Sequence, residues 1–269
     1  MPETNNSHQY QEHLGSFSKA PTQQPQATFD DPPIPPNQDD IELVTPEATL
    51  NVLRDPDSDI RQWLAYIEQQ YTPPEHTDTL LLYPCASEKP MCDSRTYQSL
   101  SKTLSQYTEE QQRHIHVVTV SEPMGLIPFE LQDGESFLYD NPGLFGWWVK
   151  KESDHDWNKH AQEQCLQILG DHIAGFLQRA IEQEWYDTRI ACVRHVTAYG
   201  NQSGDQTHRQ MLRHAEQTTD APLDLQWLPQ EDTVLALTDE VGPMAWQMTG
   251  VAHEAVQTEL AETLSETLQ

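Results

Sequence analysis

Cys85, Ser87, Lys89 and Ser94 lie close together in "LLYPCASEKPMCDSRTY", Leu81 to Tyr97, directly after an apolar run. A thiol becomes a useful nucleophile when a nearby cation or a helix N-terminus stabilises its thiolate. Lys89 could supply the cation, and a helix opening near Ser94 could supply the dipole. A second stretch, "SEPMGLIPFEL", sets Glu122 and Glu130 on either side of a Pro/Gly-rich turn. Such carboxylates can accept an ammonium group or orient the edge of a base. Pro123, Gly125 and Pro128 would fix a backbone path that lets a ligand come close. A third stretch, "YDNPGLFGWW", places Asp140 in an Asx-type turn ahead of Trp147 and Trp148. Those indoles can stack on a base or cover the edge of the core. His195 and the loop "AYGNQSGDQ" add an imidazole at a strand end and polar groups able to hydrogen-bond a heterocycle. There is no HExxH, GxSxG, P-loop or Rossmann glycine fingerprint. Cys85, Cys92, Cys165 and Cys192 match no CxxC zinc knuckle, so the sequence calls for neither a metal nor a cofactor.

These residues need elements to hold them. Ile60, Trp63, Leu64, Ile67 and Tyr71 recur at helical spacing from about Asp57, with Asp57 or Ser58 as cap and Pro73-Pro74 as stop. "TLLLYP", Thr79 to Pro84, is a buried strand; further strands are expected over His114 to Val120, Thr188 to Val196 and Leu223 to Pro229. Helices are expected over Ser94 to Tyr107, Trp157 to Glu184, Thr207 to Gln217 and Val251 to Leu264. The alternation predicts an α/β fold: a three-layer sandwich with a central, mostly parallel sheet of about four strands, Rossmann-like or uracil-DNA-glycosylase-like. Ligands in such sheets sit beyond the carboxyl ends of the strands. That places the segments Cys85–Ser94, Ser121–Glu130 and His195–Gly204 on one rim, with Pro84 at its edge.

The chain has 269 residues and a formal charge of -28, from Lys+Arg 15 against Asp+Glu 43. A surface that acidic repels phosphate backbones, so nucleic acid would meet a local neutral or basic cleft rather than the whole surface. Residues 1–46 are rich in Pro, Gln, Asn, Ser and Asp and are expected to form a disordered tail. Residues 47–269 are expected to form a single domain. No basic and apolar leader opens the chain and no apolar run approaches the ~20 residues of a membrane helix, so a cytoplasmic protein with reduced thiols is expected.

The stretches around Cys85, Glu122 and Asp140, in this order, resemble the domain downstream of the barrel in archaeosine synthase. That domain's pattern runs Pro-Cys-Ser-x-x-Lys-Pro-Tyr-x-x-Ser-x-Ser-His. Pro84, Cys85, Lys89, Pro90 and Ser94 match it, and Ala86, Met91, Thr96 and Tyr97 depart from it, the last replacing a histidine. The segment from Ser121 to Leu131 is similar to "SPLGxVPxEL", and Tyr139-Asp140-Asn141-Pro142 with Gly146 and Trp147 is similar to "YDxPVTGxW". The similarity covers about Asp78 to Glu152. It implies nucleic acid, tRNA or DNA, carrying 7-cyano-7-deazaguanine, and addition of an amine such as lysine to the nitrile. In that light Cys85 or Lys89 would lie nearest the reacting carbon. Glu122 or Glu130 would bind the amine or the guanine-like edge, and Ser94 would orient. Ser87, Pro84, Gly125, Asp140 and Trp147 would help hold the base. A transglycosylase-type partner protein would supply the barrel that this chain does not show. Two other readings remain open from the residues: a non-catalytic adaptor of a deazapurine-modifying complex, and a nucleobase glycosylase-like enzyme.

Overall fold

The alternation of side chains along three strands sets the architecture. In the computed structural model, Leu80, Leu82, Val118, Val120, Ala191 and Val193 enter one apolar cluster. Leu81, Tyr83, Ile115, Val117, Ile190 and Cys192 enter another. Successive strand residues point to opposite faces, so both faces of this sheet are covered. The structure describes residues 45–86, 91–131, 158–195, 207–242 and 250–268. Ser87, Lys89, Asp140 and Trp147 lie outside the described residues, as does the expected tail up to residue 44.

The strands are β1 (Thr79–Pro84), β2 (Ile115–Ser121), β3 (Gly125–Pro128), β4 (Thr188–Cys192) and β5 (Gln226–Leu228), in spatial order β3-β2-β1-β4-β5. β1 pairs in parallel with β2 and β4, and β4 with β5. β3 runs antiparallel to β2 at the edge, with Ser121 opposite Gly125 and Val118 opposite Pro128. The mostly parallel α/β class holds, but the described sheet has five strands rather than about four. "GLIP" reads as loop because proline and glycine flank it; at a sheet edge a terminal proline costs no ladder bond.

Helices α1 (Pro46–Arg54), α2 (Asp59–Gln69), α5 (Lys159–Glu182) and α6 (Thr207–Thr218) contribute to the first cluster, through Leu53, Trp63, Phe176 and Met211 among others. Helices α3 (Arg95–Leu104), α7 (Glu231–Val241) and α8 (Glu254–Thr267) contribute to the second, through Tyr97, Val234 and Leu260. A short α4 (Glu109–Arg113) leads into β2. Starts follow from capping residues: Thr45, Ser58, Ser94, Thr108 and Asn158 each accept a backbone N–H of the first turn. Of the two expected caps for α2, Ser58 is the one used.

β1 is central. The chain moves outward from it to β2 and β3, then returns to lay β4 on its other flank. A crevice opens beyond the carboxyl ends where strand order reverses in this way. Cys85 follows β1 at that point, and Glu122 follows β2.

Candidate active site

Cys85 leaves β1 with its backbone N–H still bonded to the Val120 carbonyl at 2.9 Å, so the strand pairing fixes where the thiol starts. Glu122 follows the last residue of β2 and is 4 % exposed. The third member was not foreseen. His208 sits in the first turn of α6, on the far side of β4 in sequence, and its Nε2 lies 3.3 Å from Cys85 Sγ and 3.5 Å from Glu122 Oε2. Ligating atoms of all three residues lie within 4.8 Å of one another.

Charge sorts itself within this group. Burial disfavours an imidazolium at His208, but the Glu122 carboxylate and the Cys85 sulfur outweigh it and push the imidazole up to about 10. Burial likewise disfavours the Glu122 carboxylate, but the facing His208 and the Thr207 side chain hold it below the usual carboxylate range. One ring nitrogen therefore faces both a sulfur and a carboxylate. This differs from a relay in which acid and nucleophile occupy opposite nitrogens of the ring. His208 Nδ1 and Glu122 Oε1 are buried and lack a hydrogen-bond partner. The arrangement can present a thiolate beside an N–H donor, which is what addition to a polar multiple bond requires.

Of the remaining expected site residues that are described, Pro84 stays near and the others separate. Pro84 is the buried last residue of β1, beside the cluster. Ser94 is 2 % exposed and caps α3: its hydroxyl donates to the Met91 carbonyl at 2.6 Å and accepts the Tyr97 N–H at 3.3 Å. Capping takes the place of the orienting role expected of it, because its one hydroxyl proton is already committed. Gly125 begins β3 with φ +67, and a Cβ there would meet Leu64 Cδ2 at 3.0 Å. Its close neighbour is α2. Tyr97, at the position where the similar domain has histidine, is buried and hydrogen-bonds Thr119.

Glu130 does not join Glu122. β3 runs back along β2, so the turn after it returns to the amino end of the sheet. There Tyr71 donates to Glu130 Oε1, His116 Nε2 lies 3.4 Å from Glu130 Oε2 and 3.0 Å from the Tyr71 oxygen, and His116 Nδ1 lies 2.5 Å from the Tyr186 hydroxyl. The two glutamates flank one turn in sequence but opposite ends of a strand in space. Arg194 follows β4 with its Nε buried and unpartnered, and burial pulls its guanidinium down to about 10.

Cys92, Cys165 and Cys192 are thiols, not disulfides. Burial raises all three, Cys165 to about 12 and Cys192 higher still, so they are poor nucleophiles. Among the described residues no helix is long and apolar enough to cross a membrane.

An α/β domain with a mostly parallel sheet, and a thiol, an imidazole and a carboxylate gathered at its carboxyl edge, is the class that fold and site define. The chain belongs to the family described as "Domain of unknown function (DUF5591)", which matches residues 60–222. Three curated relatives carry the name archaeosine synthase subunit alpha. The protein of Methanosarcina acetivorans is 31 % identical over 86 residues, 32 % of this chain and 13 % of that protein. That of Thermoplasma acidophilum is 30 % identical over 110 residues, 40 % of this chain and 20 % of its own length. That of Thermococcus kodakarensis is 27 % identical over 72 residues, 27 % of this chain and 13 % of that protein. The domain is archaeosine synthase-like, and each match spans a fifth or less of the relative's length. One solved structure, a crystal structure of a protein of unknown function, aligns with TM-score 0.37 and 16 % identity over 75 % of this chain and 49 % of its own.

Proposed function

We propose that this protein modifies 7-cyano-7-deazaguanine in nucleic acid by adding an amine to the nitrile. The observation that carries the reading is the convergence of Cys85, His208 and Glu122 at the carboxyl edge of β1 and β2, all three within the family match over residues 60–222. The Cys85 thiolate adds to the nitrile carbon, forming a C–S bond. The His208 Nε2 proton passes to the nitrile nitrogen, giving a thioimidate. An amine then adds to the same carbon, the C–S bond breaks, and an amidine leaves as the thiol is restored. Glu122 favours the charged His208 at the start, and the neutral imidazole left by the first step takes the proton that the adding amine loses. Lysine is the first donor to test, with Lys89, Ser87, Asp140 and Trp147 as contacts for base or donor, on a fold read as a three-layer, Rossmann-like sandwich.

The experiment is incubation of the full chain with an RNA or DNA oligonucleotide carrying the cyano base, plus lysine, glutamine or ammonia. A transglycosylase-type barrel protein is added in a parallel arm, and nucleoside masses are read after digestion. Gain of the donor's mass supports the reading. No mass change with any donor, in either arm, overturns it.

A second reading, a non-catalytic adaptor, is favoured by one feature. The formal charge of -28 implies that a partner meets the nucleic acid. In that case a complex would form and its activity would be insensitive to Cys85→Ala.

A further inference from the structure

We infer that Cys85, Glu122 and His208 form a binding site for a thiophilic divalent cation, zinc above all. The inference rests on geometry and stands whether or not the nitrile reading does. The three side chains bring one donor atom each within 4.8 Å of one another, with Sγ–Nε2 of 3.3 Å and Nε2–Oε2 of 3.5 Å. Zinc bonds of about 2.3 Å to sulfur, about 2.05 Å to imidazole nitrogen and about 2.1 Å to carboxylate oxygen, at a tetrahedral angle, put those pairs about 3.6 and about 3.4 Å apart. Side-chain shifts of a few tenths of an ångström would admit the ion.

Three further observations agree. The donor set of one thiolate, one imidazole and one carboxylate suits zinc, copper or cobalt and is too soft for magnesium or calcium. Glu122 is 4 % exposed, yet its Oε1 has no hydrogen-bond partner, so a buried carboxylate retains an unused acceptor at the cluster. The donors come from the residues directly after β1 and β2 and from α6, three elements held by the packed core, so the site is built before the ion arrives. Three protein ligands leave the fourth position of a tetrahedral ion open.

The sulfur lone pair that would bind the metal is the one that would add to a nitrile. The two uses of Cys85 exclude one another, so zinc occupancy blocks the thiolate and its removal restores it.

The test uses the full-length protein stripped of metal by chelator. One equivalent of zinc should remain after desalting. Cobalt should give the near-ultraviolet thiolate-to-metal charge-transfer band and the intense visible bands of a four-coordinate ion. Cys85→Ser should remove the charge-transfer band, whereas Cys92→Ser should leave it. Glu122→Gln and His208→Gln should each weaken zinc binding by more than about 100-fold, beyond the loss typical of outer-shell changes. Far-ultraviolet circular dichroism of the metal-stripped variants separates lost ligands from lost fold. If zinc binds with unchanged affinity in folded Cys85→Ser, or if cobalt gives only the weak spectrum of a six-coordinate ion, the proposal is overturned. If zinc binds tightly but accelerates the amine addition, the metal site stands and the nucleophilic role of Cys85 falls.

Discussion

His208 Nε2 faces Cys85 at 3.3 Å and Glu122 at 3.5 Å, and both contacts depend on one residue that sequence reasoning passed over. "THRQMLRH" announces a helix, and its histidine looks like one of several on a polar surface. The available signal was position: the first turn of a helix that follows a parallel strand lies at the carboxyl rim, where ligands bind. His195, expected at a strand end, lies three residues beyond the end of β4. Cys85 and Glu122 were legible because each directly follows a recognisable strand. Their place on one rim was legible too, but their meeting through His208 was not, since it depends on how α6 packs beside that rim. Removal of the proton donor is predicted to be costly. His208→Gln should slow the amine addition by about 100-fold or more in single-turnover nucleoside assays, the usual worth of a positioned acid. Glu130→Gln should leave that rate within a few-fold, because Glu130 sits at the other end of the sheet. Equal losses in both would remove the special status of the rim cluster.

At the scale of elements, periodicity located four strands and five of the longer helices. Helices α1 and α7 escaped it because they bury few large apolar side chains, Leu50 and Leu53 in one, Val234 and Leu237 in the other. β3 escaped because its glycine and proline mimic a loop, and with it went the correct placement of Glu130. Two substitutions test the element account. Gly125→Ala forces an alanine to φ +67 and a Cβ against Leu64 Cδ2 at 3.0 Å. It should cost about 1–3 kcal/mol in denaturant unfolding. Ser94→Ala removes the cap of α3 and should cost about 1 kcal/mol. It should leave the chemistry intact once folded protein is compared. A Ser94→Ala protein as stable as the parent and devoid of activity would return Ser94 to the catalytic group.

At the scale of the molecule, charge and the buried network at the amino end of the sheet set the response to pH. Burial works against a charged Glu130, yet attraction to His116 and hydrogen bonds from His116 and Tyr71 hold its carboxyl below the ordinary value of 4.5. Its folded form therefore binds a proton less readily than its unfolded form. The stabilisation is fully present above the unfolded value and disappears as pH falls through the lower, folded one. Urea unfolding of Glu130→Gln across that acidic range should show a shallower loss of stability with falling pH than the parent. An unchanged slope would mean that the network contributes nothing through ionisation. The formal charge of -28 adds self-repulsion, which composition alone makes plain.

The account depends above all on the Cys85 sulfur meeting the nitrile carbon. The most direct measurement is the intact mass of the protein after exposure to the cyano-deazaguanine oligonucleotide with no amine present. The account predicts a covalent adduct equal to the sum of the two masses. That adduct should map to Cys85, be absent from Cys85→Ala, and be discharged when the amine is added. Full conversion of the nitrile by Cys85→Ala, with no adduct on the parent protein, would contradict it.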